Sequence, residues 1–161
     1  MPDDKTMSYY NKISKGYNEL HEEEQLKKIE IIKKHLKVSG KLLDIGAGTG
    51  ISTKPFMKEA DCTSLDPNEE MLKQSPAKQV VGTAESLPFT EKFDIIISIT
   101  SFHHFNLEKA IKEIKRVSKP STKYAFTVLK KAKDFKKIVN SLKKSFNLRE
   151  FDEEKDLILI S

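Results

Sequence analysis

Leu42-Leu43-Asp44-Ile45-Gly46-Ala47-Gly48-Thr49-Gly50 is the stretch that decides how this chain folds. An apolar run closes on an acid, and three glycines follow at alternate positions. The run predicts a buried parallel strand over Lys41–Ile45 that passes into a tight turn, with a helix opening near Ile51. Glycine allows the sharp turn and lets backbone approach a ligand with no Cβ in the way. The free N–H groups of a helix start would favour anionic ligand groups. Such a turn binds nucleotides, and its spacing narrows the choice. The dinucleotide fingerprint needs G-x-G-x-x-G, but its third glycine position is held by Ile51, and the extra glycine comes one residue early.

Twenty residues beyond Gly46, Ser64-Leu65-Asp66-Pro67 places an acid at the end of a second short strand. An Asp or Glu at that point can bond a ribose diol. Asn68 is suited to cap a helix over positions 69 to 74. Gln79-Val80-Val81 reads as a third strand leading into Gly82-Thr83-Ala84-Glu85. Phe93 to Thr100 is nearly continuous apolar sequence, as for a strand buried on both faces, and it delivers Ser101-Phe102-His103-His104-Phe105. Leu107, Ala110, Ile111, Ile114 and Val117 trace one face of a helix, and so do Phe135, Ile138, Val139, Leu142 and Phe146. Tyr124 to Leu129 reads as a fifth strand, and the last residues as a hairpin of Arg149 to Phe151 against Asp156 to Ile160. Toward the N-terminus, Ser8 to Leu36 reads as helix, with Leu26, Ile29, Ile32 and Leu36 on one face. His21-Glu22-Glu23-Glu24-Gln25 fails the zinc pattern H-E-x-x-H at Gln25, so the glutamates, His21 and His35 read as surface.

The order D-I-G-A-G-T-G, with the acid at Asp66 and the His-His pair after the fourth strand, resembles class I S-adenosylmethionine-dependent methyltransferases. The resemblance covers about residues 9 to 129. It implies that Asp44, Gly46, Ala47, Gly48 and Gly50 wrap the methionine end of the cofactor, and that Asp66 and Pro67 meet the ribose. It also implies that Thr83, Ala84 and Glu85 frame the adenine, although the family often carries an acid where Thr83 stands. Ile99 and Thr100 fall at the same edge. The segment from Tyr9 to Asn18 resembles the family's N-terminal piece, in which tyrosines, here Tyr10 and Tyr17, close over the cofactor. Ser121 and Thr122 replace two glycines usual after Pro120, so that turn must differ in shape.

Composition sets outer bounds. The chain has 161 residues, a formal charge of +5 and a single cysteine, Cys62. One cysteine excludes an internal disulfide and any multi-cysteine metal site, and it suits a reducing cytoplasm. No run approaches the ~18 apolar residues of a membrane span, and the N-terminus lacks the apolar core of a signal peptide.

These features predict a single α/β domain over residues 1–161, with residues 1–22 as a flap over the cofactor site. Its architecture is a doubly wound, mostly parallel seven-stranded Rossmann-like sheet, with helices on both faces and an antiparallel C-terminal hairpin. The resemblance implies methyl transfer from S-adenosyl-L-methionine by in-line displacement to an acceptor, either a small molecule or RNA, with no metal. His103 or His104 are the candidate bases. The alternative is a non-catalytic S-adenosylmethionine-binding partner subunit of the same fold. Little chain remains after Leu129 to form a lid. An open acceptor site follows, completed by a partner protein or met by RNA along the lysine-rich C-terminal helix.

Overall fold

In the computed structural model, which describes residues 4–161 and their side chains from Glu19 onward, the chain begins with helix α1 (Asp4–His35). There follow β1 (Lys41–Ile45), β2 (Asp61–Asp66), α2 (Glu69–Leu72), β3 (Lys78–Val81) and β4 (Phe93–Ile99). The second half holds α3 (Leu107–Arg116), β5 (Ser118–Leu129), α4 (Phe135–Ser145), β6 (Arg149–Asp152) and β7 (Asp156–Ile160). Two short 3-10 turns, Lys54–Phe56 and Phe102–His104, complete the described elements. All seven strands join one sheet in the order β3-β2-β1-β4-β5-β7-β6. The pairings from β3 through β5 are parallel; β7 runs antiparallel to both β5 and β6. The chain builds outward from β1 to β3, then returns to lay β4 on the other side of β1. The carboxyl ends of β1 and β4 therefore flank the point where strand order reverses, and open α/β sheets bind ligands there.

Strand alternation assigns the core to two layers. Leu43 and Ile45 of β1 and Ile96 of β4 face α3 and α4, meeting Ala110, Ile114, Ile138 and Leu142. Leu42, Ile95 and Ile97 face the opposite way, against Ile29, Ile32 and Leu36 of α1. Ile32 is fully buried, and burial of such a side chain contributes about 1.5–3 kcal/mol. The buried stripe of α1 runs Gln25, Lys28, Ile29, Ile32, Leu36. Leu26, expected on that face, lies one residue off it and is 40% exposed.

Two local expectations are corrected. The helix expected to open near Ile51 shrinks to turns and the 3-10 segment Lys54–Phe56. Pro55 brings no N–H to a helix there, and the hydroxyls of Ser52 and Thr53 are turned inward to bond Asp44. Strand β5 begins at Ser118 rather than Tyr124, with a register irregularity opposite Phe93 and Ile95. Thr122, in one of the places usual for glycine, holds this bulge: its hydroxyl donates to Phe93 O at 2.6 Å and accepts from Lys119 N–H at 2.7 Å.

Candidate functional site

The glycine turn is shaped by backbone that only glycine adopts freely. Gly46, Gly48 and Gly50 have φ of 76°, 56° and 83°, in the left-handed region. Leu65 O accepts from the N–H groups of Gly46 (2.8 Å) and Ala47 (3.0 Å), which ties the turn to the end of β2. The glycines differ in what surrounds them. A Cβ on Gly50 would lie 2.4 Å from Ser75 Oγ and 2.8 Å from Ser75 Cα, whereas one on Gly48 would meet, among the described residues, only Met71 Cε, at 3.1 Å. Gly50 lets the turn pack; Gly48 leaves a face open.

Beneath the turn, the fully buried Asp44 accepts hydrogen bonds on Oδ2 from Ser52 Oγ (2.6 Å) and Thr53 Oγ1 (2.7 Å), while Oδ1 has no partner among the described residues. Burial pushes its carboxyl up to about 7, against those two hydrogen bonds. Asp66, at the end of β2, accepts from Gly48 N–H (2.9 Å, Oδ2) and Asn68 N–H (2.8 Å, Oδ1). One carboxylate thus fixes both the glycine turn and the start of α2, where Asn68 caps Met71 N–H at 3.1 Å. Each carboxylate oxygen can accept more than one bond, so capacity remains for a ligand.

At the end of β4, Thr100 has a φ of +53°, unusual for a β-branched residue. Buried charges hold it there. Lys28 Nζ of α1 donates to Thr100 Oγ1 (2.9 Å), Thr100 Oγ1 donates to Asp156 Oδ2 (2.6 Å), and Lys28 Nζ faces Asp156 Oδ1 at 3.3 Å. Thr127 Oγ1 accepts from Thr100 N–H at 2.8 Å. The two ionic side chains are 3% and 0% exposed, so each needs the other. This cluster fixes α1 across the carboxyl edge of the sheet. It carries Gln25 and the half-buried His21 to the same place; desolvation first, then Lys28, holds His21 below the ordinary histidine range.

The result is a cavity of about 330 Å³, within the range of pockets that enclose small ligands. Of the residues expected from sequence, the structure brings together Gly46, Ala47, Gly48, Asp66, Ile99, Thr100 and His104 around it. Asp44 lies under the floor, and Gly50 is buried in the turn. Glu85 accepts from Asn106 N–H at 2.7 Å, and Thr83 bridges to Ser86, so this loop is tied to the start of α3. Ala84 is buried and Pro67 exposed. The imidazoles of His103 and His104 have centroids 4.0 Å apart, but His103 lines a different cavity; burial and the neighbouring His104 lower its pKa. Tyr10 and Tyr17 lie outside the described side chains. His21 had been expected at the surface and instead lines the cavity with Gln25. The signal was available, since 21, 25, 28, 29, 32 and 36 continue one helical face, but its polar upper half hid it. Among the described residues, no group of three His, Cys, Asp or Glu is placed to hold a metal. None of the described helices is long and apolar enough to cross a membrane.

Comparison with known proteins agrees with this geometry. Residues 43–126 match a family described as a methyltransferase domain. An uncharacterized protein of Methanocaldococcus jannaschii, MJ1252, is 35% identical over 155 residues, covering 84% of this chain and 61% of that one. The ubiquinone/menaquinone biosynthesis C-methyltransferase UbiE of Burkholderia mallei is 29% identical over 141 residues, covering 78% of this chain and 55% of the enzyme. The chain thus spans less than two thirds of the length of these relatives. Among solved structures, a TehB-like SAM-dependent methyltransferase from Corynebacterium glutamicum has a TM-score of 0.71 at 15% identity, covering 95% of this chain and 97% of that one. A Haloferax volcanii putative methyltransferase, solved in complex with the Trm112 methyltransferase activator, has a TM-score of 0.73 at 12% identity, covering 89% and 91%. At these identities the two structures establish the fold.

Proposed function

The chain belongs to the methyltransferase-domain family, and from that premise we propose that it is an S-adenosylmethionine-dependent methyltransferase whose cofactor lies in the cavity between the glycine turn, Asp66 and the end of β4. The observation that carries this reading is the convergence of those three segments on one cavity at the reversal of strand order.

The residues present fit that cofactor. The open face of Gly48 admits a ligand against backbone. The carboxylate of Asp66 borders the cavity with acceptor capacity left for a ribose diol. Gly46, Ala47, Ile99 and Thr100 would hold the amino-acid end through backbone groups. Pro67 would meet the ribose beside Asp66, and the loop of Thr83, Ala84 and Glu85 would take the adenine. When bound, the cofactor supplies a methyl group already activated on a sulfonium, so an acceptor lone pair can displace it directly.

Most of what remains for the protein is to position and to exclude water. Lys28, Thr100 and Asp156 keep the wall of the cavity in place. His104, exposed at the mouth, would take a proton from an acceptor that must lose one, and is dispensable for an acceptor that need not. The neighbour solved with an activator subunit makes a partner protein that completes the acceptor side a reasonable companion. Titration calorimetry tests the assignment. S-adenosylmethionine and S-adenosylhomocysteine should bind one to one; tighter binding of NAD would overturn it.

A further inference from the structure

Charge is unevenly divided along this chain. From Lys92 onward there are 16 Lys and Arg against 9 Asp and Glu, a net +7; residues 1–91 have 13 against 15, a net −2, and the two give the overall +5. The fold gathers part of that excess into a concavity. Two cavities, of about 620 and 610 Å³, meet at Ser145: the first lies between α3 and α4, and the second between the C-terminal ends of those helices and the start of β5. Lys137 and Lys144 line the first, and Lys92, Lys115, Lys119 and Lys123 line the second. The acidic side chains in these walls are Glu108 and Asp134, both in the first; Asp94 pairs with Lys119 at 2.8 Å from outside. Lysines on a solvated helix usually point outward from a convex face. Six that line two adjoining cavities concentrate positive potential.

The groove also offers what bases and sugars need. Half-buried Phe105 and Tyr124 stand one in each cavity, as stacking surfaces. Asn106, Ser141, Ser145 and Asn147 supply neutral donors and acceptors of the kind that meet a 2′-hydroxyl. Stacking on these rings needs unpaired bases, which a single strand offers and a duplex does not. One end reaches His103, whose ring lies 4.0 Å from that of His104 in the cofactor cavity wall.

We propose that the groove formed by these two cavities, along α3, α4 and the start of β5, is a binding track for single-stranded RNA, with phosphates along the six lysines and bases on Phe105 and Tyr124. That the track ends beside the methyl donor rests on the methyltransferase reading; the binding itself does not. Each phosphate neutralised on a single strand contributes about −0.7 to the slope of log affinity against log salt, so six contacts predict a slope of about −4.

The test is fluorescence anisotropy of the full chain with a labelled uridine oligomer of about 20 nucleotides, from about 50 to 200 mM salt. The expected wild-type slope is about −4, and Lys115→Gln with Lys144→Gln should lower its magnitude by about 1.4. Arginine at both positions should restore it. Both lysines are exposed, and an unchanged melting temperature verifies the fold of the variants. The proposal is overturned by no binding at low salt, by a slope that the glutamine pair leaves unchanged, or by a deoxyuridine oligomer or anionic-lipid vesicle that binds as tightly. Calorimetry on the same protein keeps the two ideas apart. S-adenosylmethionine binding without RNA binding sinks only the track; the reverse sinks only the cofactor assignment.

Discussion

The cavity at the glycine turn and the groove along α3, α4 and the start of β5 are concave sites within one fold, yet they are built by opposite means. The cavity is made of buried, mutually bonded groups. Asp66 spans the glycine turn and α2, Asp44 anchors Ser52 and Thr53, and Lys28 with Asp156 locks Thr100. The groove is made of surface lysines, few of which touch one another's partners. In the first, single groups carry geometry that nothing else replaces; in the second, many weak charges add. Substitutions should therefore act all or none at the cavity and by degrees in the groove.

The largest effect on binding is expected at Gly48. Gly48→Val puts a side chain into the open face of the turn and forces a β-branched residue to positive φ. It should abolish cofactor binding by calorimetry while costing the fold about 1–2 kcal/mol. Retained affinity would show that the turn does not meet the ligand.

For stability, Lys28→Met should cost about 3–5 kcal/mol in denaturant unfolding, because Asp156 is left charged and buried. Adding Asp156→Leu should recover most of that loss, yet the double variant, without its hold on Thr100, should still bind cofactor more weakly. Full recovery of both would reduce the pair to packing.

Asp66→Ala comes next. Loss of two charge-assisted bonds to a ribose, at about 1.5–3 kcal/mol each, predicts affinity weaker by a factor of about 100 or more. Unchanged affinity in a folded protein would move the ribose elsewhere.

The smallest effect is a pH dependence. The folded pKa of Asp44, about 7, lies above its ordinary 3.8, so between those values the folded state holds a proton that the unfolded chain has lost. Asp44 therefore contributes a loss of stability as pH rises toward 7, of at most about 1.4 kcal/mol per pH unit, and none beyond it. His21 and His103, both lowered, act in the opposite sense as pH rises toward 6.5. The difference between wild type and Asp44→Asn isolates the carboxyl: it should fall from pH 5 to 7 and then flatten. A flat difference would mean that Asp44 is ionised throughout.

The two regions also differ in how legible they were. The glycine spacing, Asp66 and the apolar run into His103-His104 announce the strands and the edge at which they end, because those signals are local. The doubly wound, mostly parallel sheet followed from the alternation of elements and the hairpin from the two runs that close the chain, while the order of the strands came from the structure. The α1 wall was not legible: Lys28 and Gln25 look like solvated helix until Asp156, more than a hundred residues away, supplies the buried counter-charge. The register break opposite Phe93 is likewise set by Thr122 bonding across strands. Of the groove, only Lys137 and Lys144 were visible as lysines of the C-terminal helix; Lys92, Lys115, Lys119 and Lys123 join them only when α3 and the start of β5 are folded beside it.

The most direct measurement of the central claim is a nitrogen–proton correlation spectrum of the 18.4 kDa protein titrated with S-adenosylhomocysteine. The account predicts saturable shifts at the amides of Gly46 to Ser52, Asp66, Asn68 and Ile99 to Ser101, with Lys115 and Lys144 unmoved. Shifts confined to the groove along α3, α4 and the start of β5, or none at the glycine turn, would contradict it.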